Sequence, residues 1–215
     1  MGKAGMIQNK DKSRCFRKMK IIGLTGGIAS GKSTASEILR GFGAIIIDAD
    51  VLARKVVQPG QPALEKIVQT FGENILKKDG TLNRKTLGEI VFQDEKKLKV
   101  LNSIVHPAVY QMTEKLFQKE KEKGKERIIY DCPLLIEEHL IDMVDEVWLI
   151  YVNRENQLKR LMERNHLTKK QAMSRIKSQL PLEEKKKYVD VLIDNNGNLS
   201  DLQERLRKLW YDQGQ

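Results

Sequence analysis

Cysteine is scarce in this sequence: Cys15 and Cys132 are the only two among 215 residues. Two cysteines without a metal-like spacing argue against a disulfide framework or a zinc site, and favour a reduced, cytoplasmic setting. Long apolar runs are lacking as well, and none approaches the ~20 residues that cross a bilayer. Residues 1–18 also lack the apolar core of a secretory signal. We therefore expect a cytoplasmic protein with no membrane partner.

Acidic side chains are outnumbered: 39 lysines and arginines face 29 aspartates and glutamates, for a formal net charge of +10. Half of that excess lies in residues 1–18, which contain six basic side chains and one acidic one. Elsewhere both signs are mixed along helical stretches, as on solvated helix faces. We therefore predict a disordered extension at 1–18, a single domain at 19–215, no nucleic-acid partner, and a basic pocket for an anionic small molecule.

Five continuous apolar runs are typical of strands that are covered on both faces. Helical segments separate them, which favours right-handed crossovers. We therefore predict an α/β fold with a five-stranded parallel sheet flanked by helices. The runs occupy residues 20–25, 44–48, 127–131, 146–152 and 188–194.

Two insertions interrupt this pattern. Residues 51–126 are too long for a simple crossover, and their turn residues predict an inserted helical subdomain. Residues 154–187 carry several arginines and lysines on helix-forming sequence, which indicates a charged lid. The helices predicted in the first insertion are residues 62–71, 83–92, 95–105 and 107–124.

A phosphate-binding loop directly follows the first predicted strand. Its motif is Gly26-x-x-x-x-Gly31-Lys32-Ser33, and helix-forming sequence comes next. In such a unit, backbone N–H groups and the positive end of the helix dipole bind phosphate oxygens. Lys32 is suited to bridging the β- and γ-phosphates, and the Ser33 hydroxyl to binding Mg²⁺. The motif predicts a nucleoside triphosphate but leaves the acceptor of the phosphoryl group open.

Three aspartates stand at the ends of predicted strands, where ligands bind in open α/β sheets. Asp48 and Asp50 are two residues apart, so in an extended segment both carboxylates face one side. We prefer Asp50 as the group that orients or deprotonates an attacking hydroxyl; the alternative is that one of the pair caps a helix starting near Val51. Asp131 is interpreted either as an acid that helps to hold Mg²⁺ or as the start of a turn.

Cationic side chains in the two insertions are further candidates. Arg160 and Arg164 are spaced i,i+4, so they project from one helix face and can close over phosphate oxygens. The alternative for either arginine is a solvated position on a charged face. His106 stands alone in its region, and both a structural and a binding role stay open.

Seven segments occur in a characteristic order from about Met19 almost to the C-terminus. They are "GLTGGIASGKST", "IIDADVLARKVVQPGQPAL", "DGTLNRKTLGEIVF", "LNSIVHPAV", "PLLIE", "QLKRLMERN" and "IDNNG". Many unrelated families share a phosphate-binding loop, but this ordered set resembles the dephospho-coenzyme A kinase family.

The resemblance implies ATP-dependent phosphorylation of the ribose 3′-hydroxyl of dephospho-CoA to give CoA and ADP, the last step of coenzyme A biosynthesis. It also implies a P-loop kinase core with a helical, acceptor-binding insertion at 51–126 and a lid at 154–187. The implied catalytic residues are Asp50, as base or positioning group, with Lys32, Arg160 and Arg164. The implied ATP-binding residues are Gly27, Ile28, Ala29, Ser30, Gly31, Lys32, Ser33, Thr34, Asn195, Asn196 and Gly197. The implied acceptor-binding residues are Thr25, Asp48, Asp50, His106, Pro107, Leu134 and Glu137. The candidate metal ligands are Ser33, from the loop motif, and Asp131, from its place at a strand end.

One residue departs from the family's usual loop, "GGIGSGKS": this chain has Ala29 where a glycine is usual. If that position needed a positive φ, alanine would cost about 1 kcal/mol or somewhat more. Because Gly26 and Gly31 keep the fixed positions of the motif, we expect an ordinary φ at Ala29.

Three other functions are alternatives to this one. A kinase acting on a nucleoside, nucleotide or shikimate-like acceptor is one, although the "DGTLNR" and "HPAV" segments favour dephospho-CoA. A GTPase is disfavoured because the chain has no Asn-Lys-x-Asp motif. A nucleotide-gated RNA-binding protein would draw on the basic charge. We expect a monomer or a weak homo-oligomer.

Overall fold

The computed structural model describes residues 19–212, so the predicted extension at 1–18 lies outside the described residues. Within them, five parallel strands form one sheet in the order β2-β3-β1-β4-β5. The predicted α/β fold class is confirmed. The strands are β1 (Lys20–Gly26), β2 (Ile45–Asp48), β3 (Arg127–Asp131), β4 (Glu146–Tyr151) and β5 (Val191–Asp194).

Helices cover both faces of this sheet, which is why its strands are continuously apolar. Ile22 and Leu24 of β1, Ile129 of β3 and Trp148 of β4 are all fully buried. The helices are α1 (Lys32–Gly41), α2 (Ala49–Lys55), α3 (Pro62–Phe71), α4 (Arg84–Val91), α5 (Glu95–Glu122), α6 (Arg154–Asn165), α7 (Lys169–Lys177), α8 (Leu182–Lys185) and α9 (Leu199–Asp212).

The register of the sheet brings its functional candidates to one edge. Asp48 at the end of β2 is paired with Asp131 at the end of β3, and Asp131 is in turn paired with Leu24 of β1. Across the sheet, Tyr151 of β4 is paired with Asp194 of β5. All strands are parallel, so the loops after them meet at the same edge.

Pro107 does not end a helix, so the prediction of two helices at 95–105 and 107–124 was wrong. Residues Glu95–Glu122 form the single helix α5, with Pro107 inside it. A proline in this position removes one backbone hydrogen bond, to the carbonyl of Ser103. The packing of the helix on both sides of Pro107 outweighs that loss: Leu101 and Ile104 pack against the apolar core of the first insertion, and Phe117 packs against the core beside the sheet.

The first insertion has a hydrophobic core of its own. Val56, Leu64, Ile67, Ile75 and Val91 are buried there, apart from the clusters on the sheet. The second insertion is smaller, with Leu161, Ala172 and Ile176 buried between α6 and α7.

The last predicted strand was too long, because residues Lys186–Tyr188 form a 3-10 turn before β5 begins. Between Met19 and Asp212, no helix is both long and apolar enough to cross a bilayer.

Candidate active site

The phosphate-binding loop connects β1 to α1. Gly31 stands at the N-cap of α1 with φ of 95°, and no side chain among residues 19–212 caps that helix end. The first N–H groups of the helix are therefore left for an external acceptor, and a phosphate is suited to that place. A Cβ atom at Gly31 would lie 2.1 Å from Asn195 Nδ2, so only glycine fits here.

The loop after β5 supports the phosphate-binding loop. Asn195 is buried, and its Nδ2 donates a hydrogen bond to the carbonyl of Ser30 at 2.8 Å. Asn196 Oδ1 accepts a hydrogen bond from the backbone N–H of Asn153 at 2.9 Å, just before α6. Asn195 and Asn196, predicted to bind ATP, are therefore within reach of the loop and of the lid. Their part in nucleotide binding stays a prediction.

Ala29 has φ of 58°, in the left-handed region, so the expectation of an ordinary φ was wrong. The fixed glycines of the motif do not relieve this position, because the turn between Gly27 and Ser30 needs a left-handed residue: Ser30 N–H donates to the carbonyl of Gly27 at 3.0 Å. An L-residue in this conformation is strained by about 1–2 kcal/mol. Ala29 also packs against the apolar cluster between α6 and α7.

We expect Ala29→Gly to raise the free energy of unfolding by about 0.5–1 kcal/mol, because relief of the left-handed strain exceeds the extra entropy that glycine loses on folding. Urea denaturation without nucleotide measures this difference. A lower free energy of unfolding would mean that the Ala29 methyl group contributes more through its packing on the lid than the strain costs.

Lys32, Ser36 and Asp131 form a polar cluster beneath the loop. The ammonium group of Lys32 and the hydroxyl of Ser36 both donate to the Asp131 carboxylate. Asp131 is almost fully buried, and Ser33 is exposed in the first turn of α1. Ser36 was missed from sequence, although its position one helical turn after Lys32 places both on one face of α1.

Asp48 and Asp50 have separate roles. The sequence suggested that the two carboxylates share an extended segment. This was wrong, because helix α2 begins at Ala49, between them. Asp48 Oδ1 caps α2 by accepting hydrogen bonds from the N–H groups of Asp50 and Val51, at 2.8 and 3.1 Å. The Asp50 carboxylate stays accessible to solvent. Desolvation by its surroundings raises the pKa of Asp50, Lys32 opposes that rise, and Asp48 and Asp131 add to it.

Asp50 lies at one wall of a pocket of about 350 Å³, which we call the Asp50 pocket. His106 and Pro107 of α5 and Leu134 after β3 also line it, so four of the predicted acceptor-binding residues come together. His106 Nδ1 lies 3.0 Å from Glu138 Oε2 across the pocket. Glu138 was missed from sequence because the pairing joins residues that are distant along the chain. The walls are largely apolar side chains: Ala49, Ala53, Val105, Val109, Leu134, Leu140 and Met143.

Cys132 belongs to the same pocket and is buried. Burial raises the pKa of its thiol to about 12, so the thiol stays protonated at neutral pH. Cys132 directly follows Asp131, whose carboxylate accepts from Lys32, so the phosphate-binding loop and the Asp50 pocket adjoin at this point.

Besides Asp48, which caps α2, two further predicted acceptor-binding residues do not line the Asp50 pocket. The Thr25 side chain is fully buried and donates to the carbonyl of Pro133 at 3.1 Å. Glu137 Oε1 lies 2.9 Å from Lys185 Nζ and accepts from the N–H of Leu180 at 3.2 Å. Through these contacts, both residues hold the segment after β3 in place. Lys185 was missed because a lysine in a charged stretch gives no sign of being buried.

Arg160 and Arg164 of α6 line a second depression of about 420 Å³, which we call the arginine groove. Ala29, Gly31 and Thr34 of the phosphate-binding loop form its other side, together with Asn195 and Gly197. The Nε of Arg164 donates to Asn165 Oδ1 at 2.9 Å. Both arginines line the same groove, as their i,i+4 spacing on one helix face predicted, and their contact with phosphate stays a prediction.

Comparison with known proteins gives one consistent family. The family model for dephospho-CoA kinase matches residues 20–201. A dephospho-CoA kinase of Shouchella clausii is 55% identical over 176 residues, which cover 82% of this chain and 89% of the relative. The enzyme of that name from Carboxydothermus hydrogenoformans is 50% identical over 188 residues, covering 87% of this chain and 91% of the relative.

The same family appears among solved structures. A dephospho-CoA kinase from Campylobacter jejuni superimposes with a TM-score of 0.72 at 32% identity, covering 91% of this chain and 97% of that one. A family model that spans most of the chain and relatives of about half identical sequence point to the same conclusion. This chain belongs to the dephospho-CoA kinase family.

Proposed function

We propose that this chain transfers the γ-phosphoryl group of ATP to the ribose 3′-hydroxyl of dephospho-CoA. The observation that carries the proposal is the position of Asp50, at the wall of a pocket that adjoins the phosphate-binding loop where Cys132 follows the Lys32 partner Asp131. Membership of a family that phosphorylates dephospho-CoA with ATP supports this choice of donor and acceptor. We also propose action as a monomer or weak homo-oligomer in the cytoplasm, without a nucleic-acid partner.

The donor side is the loop from Gly27 to Thr34. Its free N–H groups and the N-terminus of α1 bind the β- and γ-phosphates, and Lys32 neutralises their charge. For this, Lys32 exchanges its contact with Asp131 for the phosphates or shares it between them. Arg160 and Arg164 in the arginine groove contribute further positive charge over the nucleotide.

Mg²⁺ fits the oxygen atoms that are present. No three His, Cys, Asp or Glu side chains between Met19 and Asp212 are grouped as a metal site. Mg²⁺ does not need such a group, since it is usually held by one or two protein oxygens, waters and substrate phosphates. The exposed Ser33 hydroxyl and the Asp131 carboxylate are the residues that would hold it. When bound, the ion would neutralise negative charge that develops on the phosphate oxygens.

The acceptor side is the Asp50 pocket. Its largely apolar walls suit the uncharged parts of dephospho-CoA. Two of the described lining residues carry a carboxylate, Asp50 and Glu138. Because Glu138 contacts His106, Asp50 is the one that remains unpaired. Asp50 orients the 3′-hydroxyl and takes its proton as the new P–O bond forms. Asp48 assists indirectly, because its cap fixes the start of α2 and so the position of Asp50.

The direct test is to incubate the protein with Mg²⁺, ATP and dephospho-CoA and to look for CoA by mass spectrometry. We expect CoA and ADP in equal amounts, and no CoA with Lys32→Met. A parallel assay with nucleosides, nucleotides and shikimate in place of dephospho-CoA compares the acceptors. Preferred consumption of ATP with one of those acceptors would contradict the proposal.

A further inference from the structure

The backbone of Ile28, inside the phosphate-binding loop, is held on both sides by glutamines of the second insertion. Ile28 N–H donates to Gln179 Oε1 at 2.7 Å. Gln157 Nε2 donates to the carbonyl of Ile28 at 2.9 Å. Gln157 lies on α6 and is 5% exposed, and Gln179 follows α7. One residue of the loop is thus bonded to both ends of the predicted lid.

These two bonds fix two successive peptide planes. The Ile28 N–H belongs to the plane that joins it to Gly27, and the Ile28 carbonyl to the plane that joins it to Ala29. Because a trans peptide is planar, the Ala29 N–H points away from the carbonyl that Gln157 holds. The hydrogen bond from Gln157 therefore also fixes the orientation of the peptide plane that precedes Ala29, the residue with the strained φ of 58°.

Close packing makes the contact a tight one. A Cβ atom on Gly27 would lie 2.8 Å from Gln157 Nε2 and 3.2 Å from Leu182. The side chains of Ile28 and Ala29 pack against the apolar cluster between α6 and α7. A movement of the lid therefore cannot leave the Ile28 peptide where it is.

We propose that Gln157 and Gln179 are positioning residues, which hold the Ile28 peptide and so align the phosphate-binding N–H groups with the lid. They touch neither phosphate nor acceptor and act through the loop. The inference rests on the proposed phosphoryl transfer only in assuming that the loop binds ATP.

The two glutamines use opposite ends of their amides, and this provides the test. A backbone N–H can only donate, so position 179 needs an acceptor, which a glutamate also supplies. A backbone carbonyl can only accept, so position 157 needs a donor, which an ionised glutamate lacks. Gln157→Glu and Gln179→Glu add the same charge next to the same residue at the same side-chain length. The difference between them therefore reports the hydrogen bond together with the deeper burial of position 157, and Gln157→Met, which removes the donor without adding a charge, separates the two.

The experiment is isothermal titration of each full-length variant with ATP and, separately, with dephospho-CoA. We expect Gln157→Glu to bind ATP at least about fivefold more weakly than Gln179→Glu, since it leaves the Ile28 carbonyl without its donor. The affinity for dephospho-CoA should differ between the two variants by less than about twofold, because the Asp50 pocket does not include either position. A purely structural role would weaken both ligands alike.

Equal loss of ATP affinity in the two glutamate variants would overturn the proposal. If Gln157→Glu does not fold, Gln157→Met removes the donor without adding a charge and should weaken ATP binding about fivefold. An ATP affinity equal to that of the unsubstituted protein would then overturn it. Since binding is measured directly, failure of the protein to phosphorylate dephospho-CoA would refute the proposed function and leave this test intact.

Discussion

Asp50→Asn should reduce kcat for CoA formation by about 10²–10⁴-fold while leaving the affinity for ATP within about twofold, because general-base catalysis contributes that much and asparagine cannot accept the proton. The side chain keeps its size and still reaches the Asp50 pocket, so acceptor binding should persist. Steady-state kinetics of CoA formation and titration with ATP measure the two effects. Near-normal turnover would remove Asp50 from its assigned role.

A matched control makes the same chemical change outside the site. Asp94 caps α5 by accepting from the N–H groups of Lys96 and Lys97, and asparagine is an equally good cap. Asp94→Asn should therefore change kcat less than about twofold, because the cap persists and no substrate is near. A comparable loss of kcat in both variants would show that the effect at Asp50 is not local.

The pH dependence of the reaction should follow the pKa of Asp50, which desolvation raises above its ordinary value. Only the ionised carboxylate accepts a proton, so activity should fall as the pH drops through that raised pKa.

The effect of Asp50 on folding stability depends on pH in the opposite direction. A raised pKa means that the folded protein binds the proton more tightly than the unfolded chain does. The stability gained in this way is present below the ordinary pKa and lost as the pH rises through the raised one.

Asp50→Asn should therefore unfold no more easily than the unsubstituted protein at neutral pH, although it loses turnover. Thermal unfolding at neutral pH and at low pH tests this. A clear loss of stability at neutral pH would mean that the ionised carboxylate makes favourable contacts that outweigh its desolvation.

Lys185→Met should lower the free energy of unfolding by about 3–5 kcal/mol, because it removes the cation of a buried ion pair and leaves the Glu137 carboxylate with only the N–H of Leu180. Lys185 is fully buried, with Nζ 2.8 Å from the carbonyl of Pro133 and 2.9 Å from Glu137 Oε1. Among residues 19–212, nothing hydrogen-bonds to the other carboxylate oxygen of Glu137. Urea denaturation of the protein without ligands measures the loss.

Two comparisons separate the ion pair from its surroundings. Lys187 pairs with Glu184 on the surface, and Lys187→Met should cost no more than about 1 kcal/mol. Combining Lys185→Met with Glu137→Gln removes the uncompensated charge, so the double variant should be more stable than Lys185→Met alone. A double variant that is less stable by the sum of both single losses would show that the two side chains act independently.

Much of the fold could be predicted because it depends on local patterns. Apolar runs such as "RIIYD" are buried on both faces, and their residues indicate strands without knowledge of what covers them. The strand–loop–helix unit around Lys32 likewise depends on residues that are neighbours in the chain. Asp50 was preferred as the residue further into the cleft after a strand, whereas the expectation that Asp48 and Asp50 share an extended segment was wrong.

By itself, the sequence determined the α/β class, the phosphate-binding loop and the position of Asp50 near a strand end, since each is encoded over a few consecutive residues. Only the tertiary structure decided the left-handed Ala29, the unbroken helix through Pro107, the burial of Lys185 against Glu137 and the hold of Gln157 and Gln179 on Ile28. The conformation of Ala29 follows from the turn between Gly27 and Ser30, and each of the others depends on a partner far along the chain. Burial changes the free energy of a charge or an amide by several kcal/mol, and the residue type alone does not reveal whether that burial occurs.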